Sequence, residues 1–197
     1  MSHAAKNRVL NVPNVVTSAR LVLSVILFGF LTQSAYVVSL VLFCLAAGTD
    51  WFDGFYARRY GQVTQLGRIL DPFADKIIIC GTFVFLVAIP ESRIAAWMAV
   101  VVIGRELLVT ALRSFLEERG ADFSASMSGK LKMVLQCGAV IASLVRLISM
   151  ADTAAPAWMT WTVDLFTWSA VLLTIYSGVE YILAAIRIFR GLENDAS

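Results

Sequence analysis

Asp50-Trp51-Phe52-Asp53-Gly54-Phe55-Tyr56-Ala57-Arg58 and Gly67-Arg68-Ile69-Leu70-Asp71-Pro72-Phe73-Ala74-Asp75 place four aspartates beside and within apolar runs. On a helix, Asp50, Asp53, Gly54 and Ala57 fall at i, i+3, i+4 and i+7, so two carboxylates and two small residues share one stripe. Gly67, Asp71, Ala74 and Asp75 repeat the arrangement at i, i+4, i+7 and i+8. The connection between the two stripes is short, so the helices are expected to be antiparallel neighbours that turn these faces toward each other. Pro72 fits comfortably only in a first helical turn. The third helix is therefore expected to begin near Asp71 or to bend there.

The surroundings of these stripes define the solvent. Of 197 residues, 59% are hydrophobic and 15% charged, and the mean hydropathy is +0.77. A water-soluble domain carries about 25% charged residues. The excess apolarity points to lipid, and it excludes a disordered chain or a disulfide scaffold. Cys44, Cys80 and Cys137 each lie inside an apolar run, without CxxC spacing, and read as small buried hydrophobes. His3 is the one histidine, which removes His-centred catalysis and most transition-metal sites.

A bilayer core of about 30 Å requires roughly 20 apolar residues per helix. Six stretches qualify: about Pro13 to Gln33, Tyr36 to Arg58, Ile69 to Ile89, Ile94 to Leu116, Leu131 to Met150 and Trp161 to Ile188. The expected fold is an all-α integral membrane protein of six transmembrane helices, a single domain over residues 1–197. The first run lacks an A-x-A cleavage site and precedes five more, so it reads as an anchor. Lys6, Arg8, Arg58, Arg59, Arg68, Arg113, Arg119, Lys130, Lys132, Arg187 and Arg190 collect on one side, against Arg93 and Arg146 on the other. Both termini are therefore expected in the cytoplasm. Trp97, Trp158 and Trp161 fall near the opposite interface.

An acidic residue at the centre of a membrane helix costs about 2.5 to 3.5 kcal/mol. Four in one cavity would also repel one another and raise their own pKa values unless cations neutralise them. An all-oxygen ligand set matches Mg2+ or Mn2+. Such ions are commonly held by carboxylates together with substrate phosphates, and two can clamp an in-line displacement. Arg58, Arg59 and Arg68 stand nearby to bond phosphate oxygens. The competing reading, in which the aspartates pair with these arginines and Lys76 in a solvated loop, does not account for two matched stripes.

The run from Asp50 to Asp75 resembles the signature of the CDP-alcohol phosphatidyltransferases, D-x2-D-G-x2-A-R-x8-G-x3-D-x3-D, at every specified position and spacing. The resemblance implies six transmembrane helices, a homodimer, and a two-ion Mg2+ or Mn2+ site facing the cytoplasm, and the lack of an Arg- and Ser-rich transit segment leads to the expectation of a bacterial inner membrane. It implies that Asp50, Asp53, Asp71 and Asp75 bind the metals, with Asp75 also the general base. Gly54, Ala57, Arg58 and Gly67 would line the site for the cytidine diphosphate part of CDP-diacylglycerol.

Further motifs bear on the acceptor. Asn11-Val12-Pro13-Asn14-Val15-Val16-Thr17-Ser18-Ala19-Arg20, Gly104-Arg105-Glu106-Leu107 with Ala111-Leu112-Arg113, Ser128-Gly129-Lys130-Leu131-Lys132 and Ser177-Gly178-Val179-Glu180-Tyr181 resemble the branch of the family that uses sn-glycerol 3-phosphate. Sister enzymes for other acceptors, such as inositol phosphate, share similar basic positions. Independently, Arg105 lies inside an apolar span and Arg113 follows about 80° around the helix, so both can face one cavity. Converging cations within a membrane bundle suit a phosphate. Lys130 and Lys132 are about 200° apart, so at most one joins them, and the resemblance favours Lys130. Neighbours on a helix do not face each other, which makes Glu106 a poor partner for Arg105. A membrane prenyltransferase or divalent-metal carrier could also set aspartates on facing helices. The former would carry two distant acidic motifs, and the latter has no need of Gly54, Ala57 and Arg58.

Overall fold

A computed structural model describes residues 12–60, 65–118, 127–152 and 154–195. Within these, the side chains of residues 12–16, 49–60, 65–72, 75, 116–118, 127–128, 151–152 and 189–195 lie outside the description. Lys6, Arg8, Asn11 and Arg119 fall outside it altogether. The described residues form six α-helices: α1 Val12–Thr32, α2 Tyr36–Tyr60, α3 Gln65–Val87, α4 Ala96–Glu118, α5 Met127–Asp152 and α6 Ala157–Asp195. A 3-10 turn occupies Pro90–Ser92, and no strand occurs among the described residues.

The chain divides into two compact units, Met1–Ser92 with Ser143–Ala155, and Arg93–Ala142 with Pro156–Ser197. In the first, α1 packs along both α2 and α3, while α2 and α3 share a smaller contact. The turn from α1 into α2 is a Schellman closure: the N–H of Ala35 reaches the Phe30 carbonyl at 3.0 Å and that of Ser34 the Leu31 carbonyl at 3.1 Å. Ser34 takes the left-handed position at φ 57, as this closure requires. The α1–α3 approach is close at Gly81, where an added Cβ would stand 2.2 Å from the Cζ of Phe28. The ring of Phe28 stacks on Phe85, with centroids 4.9 Å apart.

In the second unit α4 packs against α6. The first part of α5 joins it through the Gln136 amide, which donates to the Thr174 hydroxyl at 3.2 Å, and through Phe166, which lies against Gly138. Asp164 on α6 is bound by Arg93, whose Nε and Nη2 donate to the two carboxylate oxygens at 2.6 and 2.7 Å.

The interior is mainly apolar, with Leu27, Phe43, Phe83, Leu86 and Leu144 fully buried, but it also holds small polar residues, and the exterior is apolar too. Ser24, Ser39, Thr82, Gln136, Ser143, Thr174 and Ser177 are buried, whereas Val25, Val100, Leu107, Val134, Trp161, Leu165 and Leu172 are exposed. Ser24, Ser39 and Thr82 donate to the carbonyls of Arg20, Ala35 and Ile78 one turn back, so their hydroxyls are satisfied within their own helices. Such an apolar exterior is stable where lipid covers it. Gly129–Met150 and Ala157–Ile188 are long and apolar enough to cross a bilayer, and Thr17–Thr32, Tyr36–Gly48 and Lys76–Val87 are shorter apolar stretches.

Two expectations need correction. α3 begins at Gln65 and runs through Pro72, so of the two arrangements expected at the proline, a helix start near Asp71 is excluded, while a bend there is the other. Proline removes one hydrogen bond, to the carbonyl of residue 68, and the helix continues through it. The cysteines form no disulfide, but Cys44 is exposed and Cys80 and Cys137 are only partly covered. An apolar run in a membrane helix contains lipid-facing positions as well as buried ones.

Candidate functional site

Helical register relates the acidic positions to the buried sectors described elsewhere on each helix. On α2, Ser39, Phe43 and Ala46 are buried, and the same register continues through positions 50, 53, 54 and 57. On α3, Ala74, Ile78 and Thr82 are buried, and positions 71 and 75 lie in that sector. On α1 the buried stripe is Thr17, Arg20, Ser24, Leu27 and Leu31, polar toward its N-terminus. Short connections make α1, α2 and α3 alternate in direction. One end of this unit therefore gathers the start of α1, the end of α2 and the start of α3, with all four aspartate positions. Arg20 is a buried cation at that end, to which the sequence reading gave no role beyond its place in a motif.

The side chains of Asp50, Asp53, Gly54, Ala57, Arg58, Gly67, Asp71 and Asp75 lie outside the described residues. As a donor set, four carboxylates without histidine suit a hard divalent cation, and the residues present fit such an ion.

In the second unit the structure brings Arg105, Glu106 and Arg113 of α4 together with Lys132 of α5 and Ser177 and Tyr181 of α6. Arg105 is enclosed on three sides. Its Nε donates to Ser177 Oγ at 3.1 Å, and its Nη1 stands 3.5 Å from Glu106 Oε1. Its guanidinium carbon lies 5.2 Å from the centre of the Tyr181 ring. Gly178 makes room for this arginine, since a Cβ there would lie 3.3 Å from Arg105 Cγ. The Arg113 guanidinium overlies the same ring at 6.0 Å, and its Nη2 donates to the Tyr181 hydroxyl at 3.2 Å. Lys132 Nζ bonds Glu106 Oε1.

Two donors remain. Arg105 Nη2 and Arg113 Nε are buried without a hydrogen-bond partner. A buried donor on a charged group left unsatisfied costs more than the 1 to 3 kcal/mol typical of a neutral one. Arg105 and Lys132 hold the carboxylate of Glu106, while the unmet N–H groups of Arg105 and Arg113 beside the Tyr181 ring suit an anion with acceptor oxygens on two sides.

The sequence anticipated Arg105 and Arg113 as converging cations, and both belong to this cluster. Lys130, however, is exposed, and it is Lys132 that is buried and turned to Glu106. The available signal was register: Lys132 shares a stripe with the buried Gln136, Ala139 and Val140. Glu106 touches Arg105, contrary to expectation, but only at the outer limit of contact; its stronger partner comes from α5, which periodicity on α4 does not reveal. Ser177 and Tyr181 stood in a quoted motif without a role.

The family model of the CDP-alcohol phosphatidyltransferases matches residues 10–185, and the chain belongs to that family, whose members are generally metal-dependent. Among its relatives, the CDP-diacylglycerol--glycerol-3-phosphate 3-phosphatidyltransferase of Bacillus subtilis is 39% identical over 147 residues, covering 75% of this chain and 72% of that protein. The protein of the same name from Escherichia coli is 32% identical over 192 residues, covering 89% and 94%. The probable phosphatidylglycerophosphate synthase of Mycobacterium tuberculosis is 34% identical over 200 residues, covering 98% and 90%.

Proposed function

We propose that the chain transfers the phosphatidyl group of CDP-diacylglycerol to the primary hydroxyl of sn-glycerol 3-phosphate, giving phosphatidylglycerophosphate and CMP. The observation that carries this reading is the complete eight-residue signature, set on two helix stripes in register with the buried sectors of α2 and α3. The names of the relatives favour this acceptor over inositol phosphate.

In this reading Asp50, Asp53, Asp71 and Asp75 hold two divalent ions, Mg2+ or Mn2+, which when bound neutralise charge on the pyrophosphate. Gly54, Ala57, Arg58 and Gly67 receive the cytidine diphosphate part. Arg105 and Arg113 take the acceptor phosphate on their unpartnered N–H groups, and Lys130, exposed and about 200° around α5 from the buried Lys132, is not among these contacts. Asp75 accepts the proton of the attacking hydroxyl. The new oxygen–phosphorus bond forms as the bond from phosphorus to the CMP oxygen breaks in line. Fixed charges and held reactants supply most of the acceleration. All six helices cross a bacterial inner membrane with both termini and the site toward the cytoplasm, in a homodimer, so the acyl chains stay in lipid throughout.

Purified enzyme assayed with labelled sn-glycerol 3-phosphate, inositol phosphate and serine, each with Mg2+ and with Mn2+, tests the reading. Turnover confined to glycerol 3-phosphate is expected. Turnover with inositol phosphate alone would move the chain to a sister activity.

A further inference from the structure

Glu106 is an anomaly in an anion site. It is almost buried, its side chain 11% exposed, and a carboxylate there weakens phosphate binding by repulsion. Lys132 neutralises it, but both Lys132 and Arg105 reach the same oxygen, Oε1. Oε2 makes no bond among the described residues and, unlike Arg105 Nη2 and Arg113 Nε, is not sealed from solvent. A carboxylate oxygen held beside the guanidinium edge, with its acceptor capacity unused, is matched by a hydroxyl donor on the molecule whose phosphate occupies that edge.

We propose that Glu106 is a specificity-determining residue that reads a second hydroxyl of the acceptor, so that the site selects a phosphate ester of a vicinal diol. The inference rests on the assignment of Arg105 and Arg113 to the acceptor phosphate. sn-Glycerol 3-phosphate carries the required group on its middle carbon, between the phosphate ester and the attacking primary hydroxyl. Three features then do separate work: the guanidiniums bind the phosphate, Glu106 Oε2 accepts from the secondary hydroxyl, and Lys132 fixes the carboxylate by its bond to Oε1. A polar site that loses its partner is left unpaired, which makes such a contact far more selective than an apolar one.

The test compares sn-glycerol 3-phosphate with 3-hydroxypropyl phosphate, which keeps the phosphate and the primary hydroxyl and lacks the middle one. Wild-type enzyme is expected to favour glycerol 3-phosphate in kcat/KM by about ten- to hundredfold. A ratio near one would overturn the proposal without any variant. The paired substitution Glu106→Met with Lys132→Met removes one charge of each sign, keeping the net charge of the cluster, and should bring the ratio to within about threefold of one. Persistence of the wild-type ratio in that variant would also overturn it. Arg105→Gln separates the two readings: it should raise KM for both acceptors by a similar factor and leave their ratio in place. Unchanged KM values for both would remove the phosphate assignment, and this inference with it.

Discussion

Arg113 and Tyr181 meet twice: the guanidinium lies 6.0 Å from the ring centre, and its Nη2 donates to the phenolic oxygen at 3.2 Å. Arg105 shares the ring at 5.2 Å, so one aromatic side chain seats two cations that would otherwise repel. Tyr181→Phe keeps the ring and takes from Arg113 Nη2 its hydrogen bond to the phenolic oxygen. KM for glycerol 3-phosphate should rise about five- to twentyfold, with KM for CDP-diacylglycerol within twofold of wild type. Tyr181→Leu removes the ring as well and should raise the acceptor KM further. Equal changes in both KM values would instead mark a general structural lesion.

Asp71→Asn removes one negative charge from the proposed metal set while keeping the size of the side chain. Turnover should fall by at least about a hundredfold, with the thermal melting of the detergent-solubilised protein close to that of wild type. A chelator should likewise abolish wild-type activity, and added Mg2+ or Mn2+ should restore it. Near-normal turnover of Asp71→Asn would remove this aspartate from the metal set.

The helices were legible because apolarity marks where a chain crosses hydrocarbon, and their ends were less so because a helix does not stop where apolarity stops. α6 was read from Trp161 to Ile188 but spans Ala157–Asp195, about 58 Å at 1.5 Å per residue. The peptide hydrogen-bond ladder continues through Arg187 and Arg190 irrespective of their charge. Arg105 and Arg113 could be singled out because charge inside an apolar run is costly. The bond between Lys132 and Glu106 depends on how α5 is rotated against α4. Both helices take their places against α6, α5 through Gly138 on Phe166 and α4 through its own packing there, which the local pattern of neither helix reveals.

The same packing makes two glycines unequal. A Cβ on Gly138 would stand 2.5 Å from Phe166 Cδ1 and 3.3 Å from its Cγ, near the base of a ring that cannot swing away without moving its own backbone. At Gly81 the clash is with the far edge of Phe28, which can yield by giving up its stack on Phe85. Gly138→Ala is expected to lose about 2 to 3 kcal/mol and Gly81→Ala about 1 to 2, after the better helix propensity of alanine is included. Gly29, with nothing within 4 Å of an added Cβ, should gain up to about 1 kcal/mol as alanine. Thermal melting of the three variants checks the order, and a Gly138→Ala protein as stable as Gly29→Ala would contradict the packing described.

Arg93 carries a different kind of constraint. Its backbone is left-handed at φ 62, a position costing a non-glycine residue roughly 1 to 2 kcal/mol, and its side chain grips Asp164 through two bonds. The hydrogen bond to Asp164 holds its pKa above the usual arginine value, against the opposing effect of burial. Both partners are partly exposed, 41% and 28%, and the ion pair contributes no more than about 1 kcal/mol. Arg93→Ala loses the pair and keeps the backbone strain, whereas Arg93→Gly loses the pair and relieves it. Arg93→Gly should therefore melt above Arg93→Ala, by an amount corresponding to about 1 kcal/mol. Asp164→Asn should fall between wild type and Arg93→Ala, and its deficit should shrink as salt screens the wild-type pair. If Arg93→Ala melted as high as Arg93→Gly, the left-handed geometry would not be a source of strain, and the role of Asp164 would reduce to surface charge.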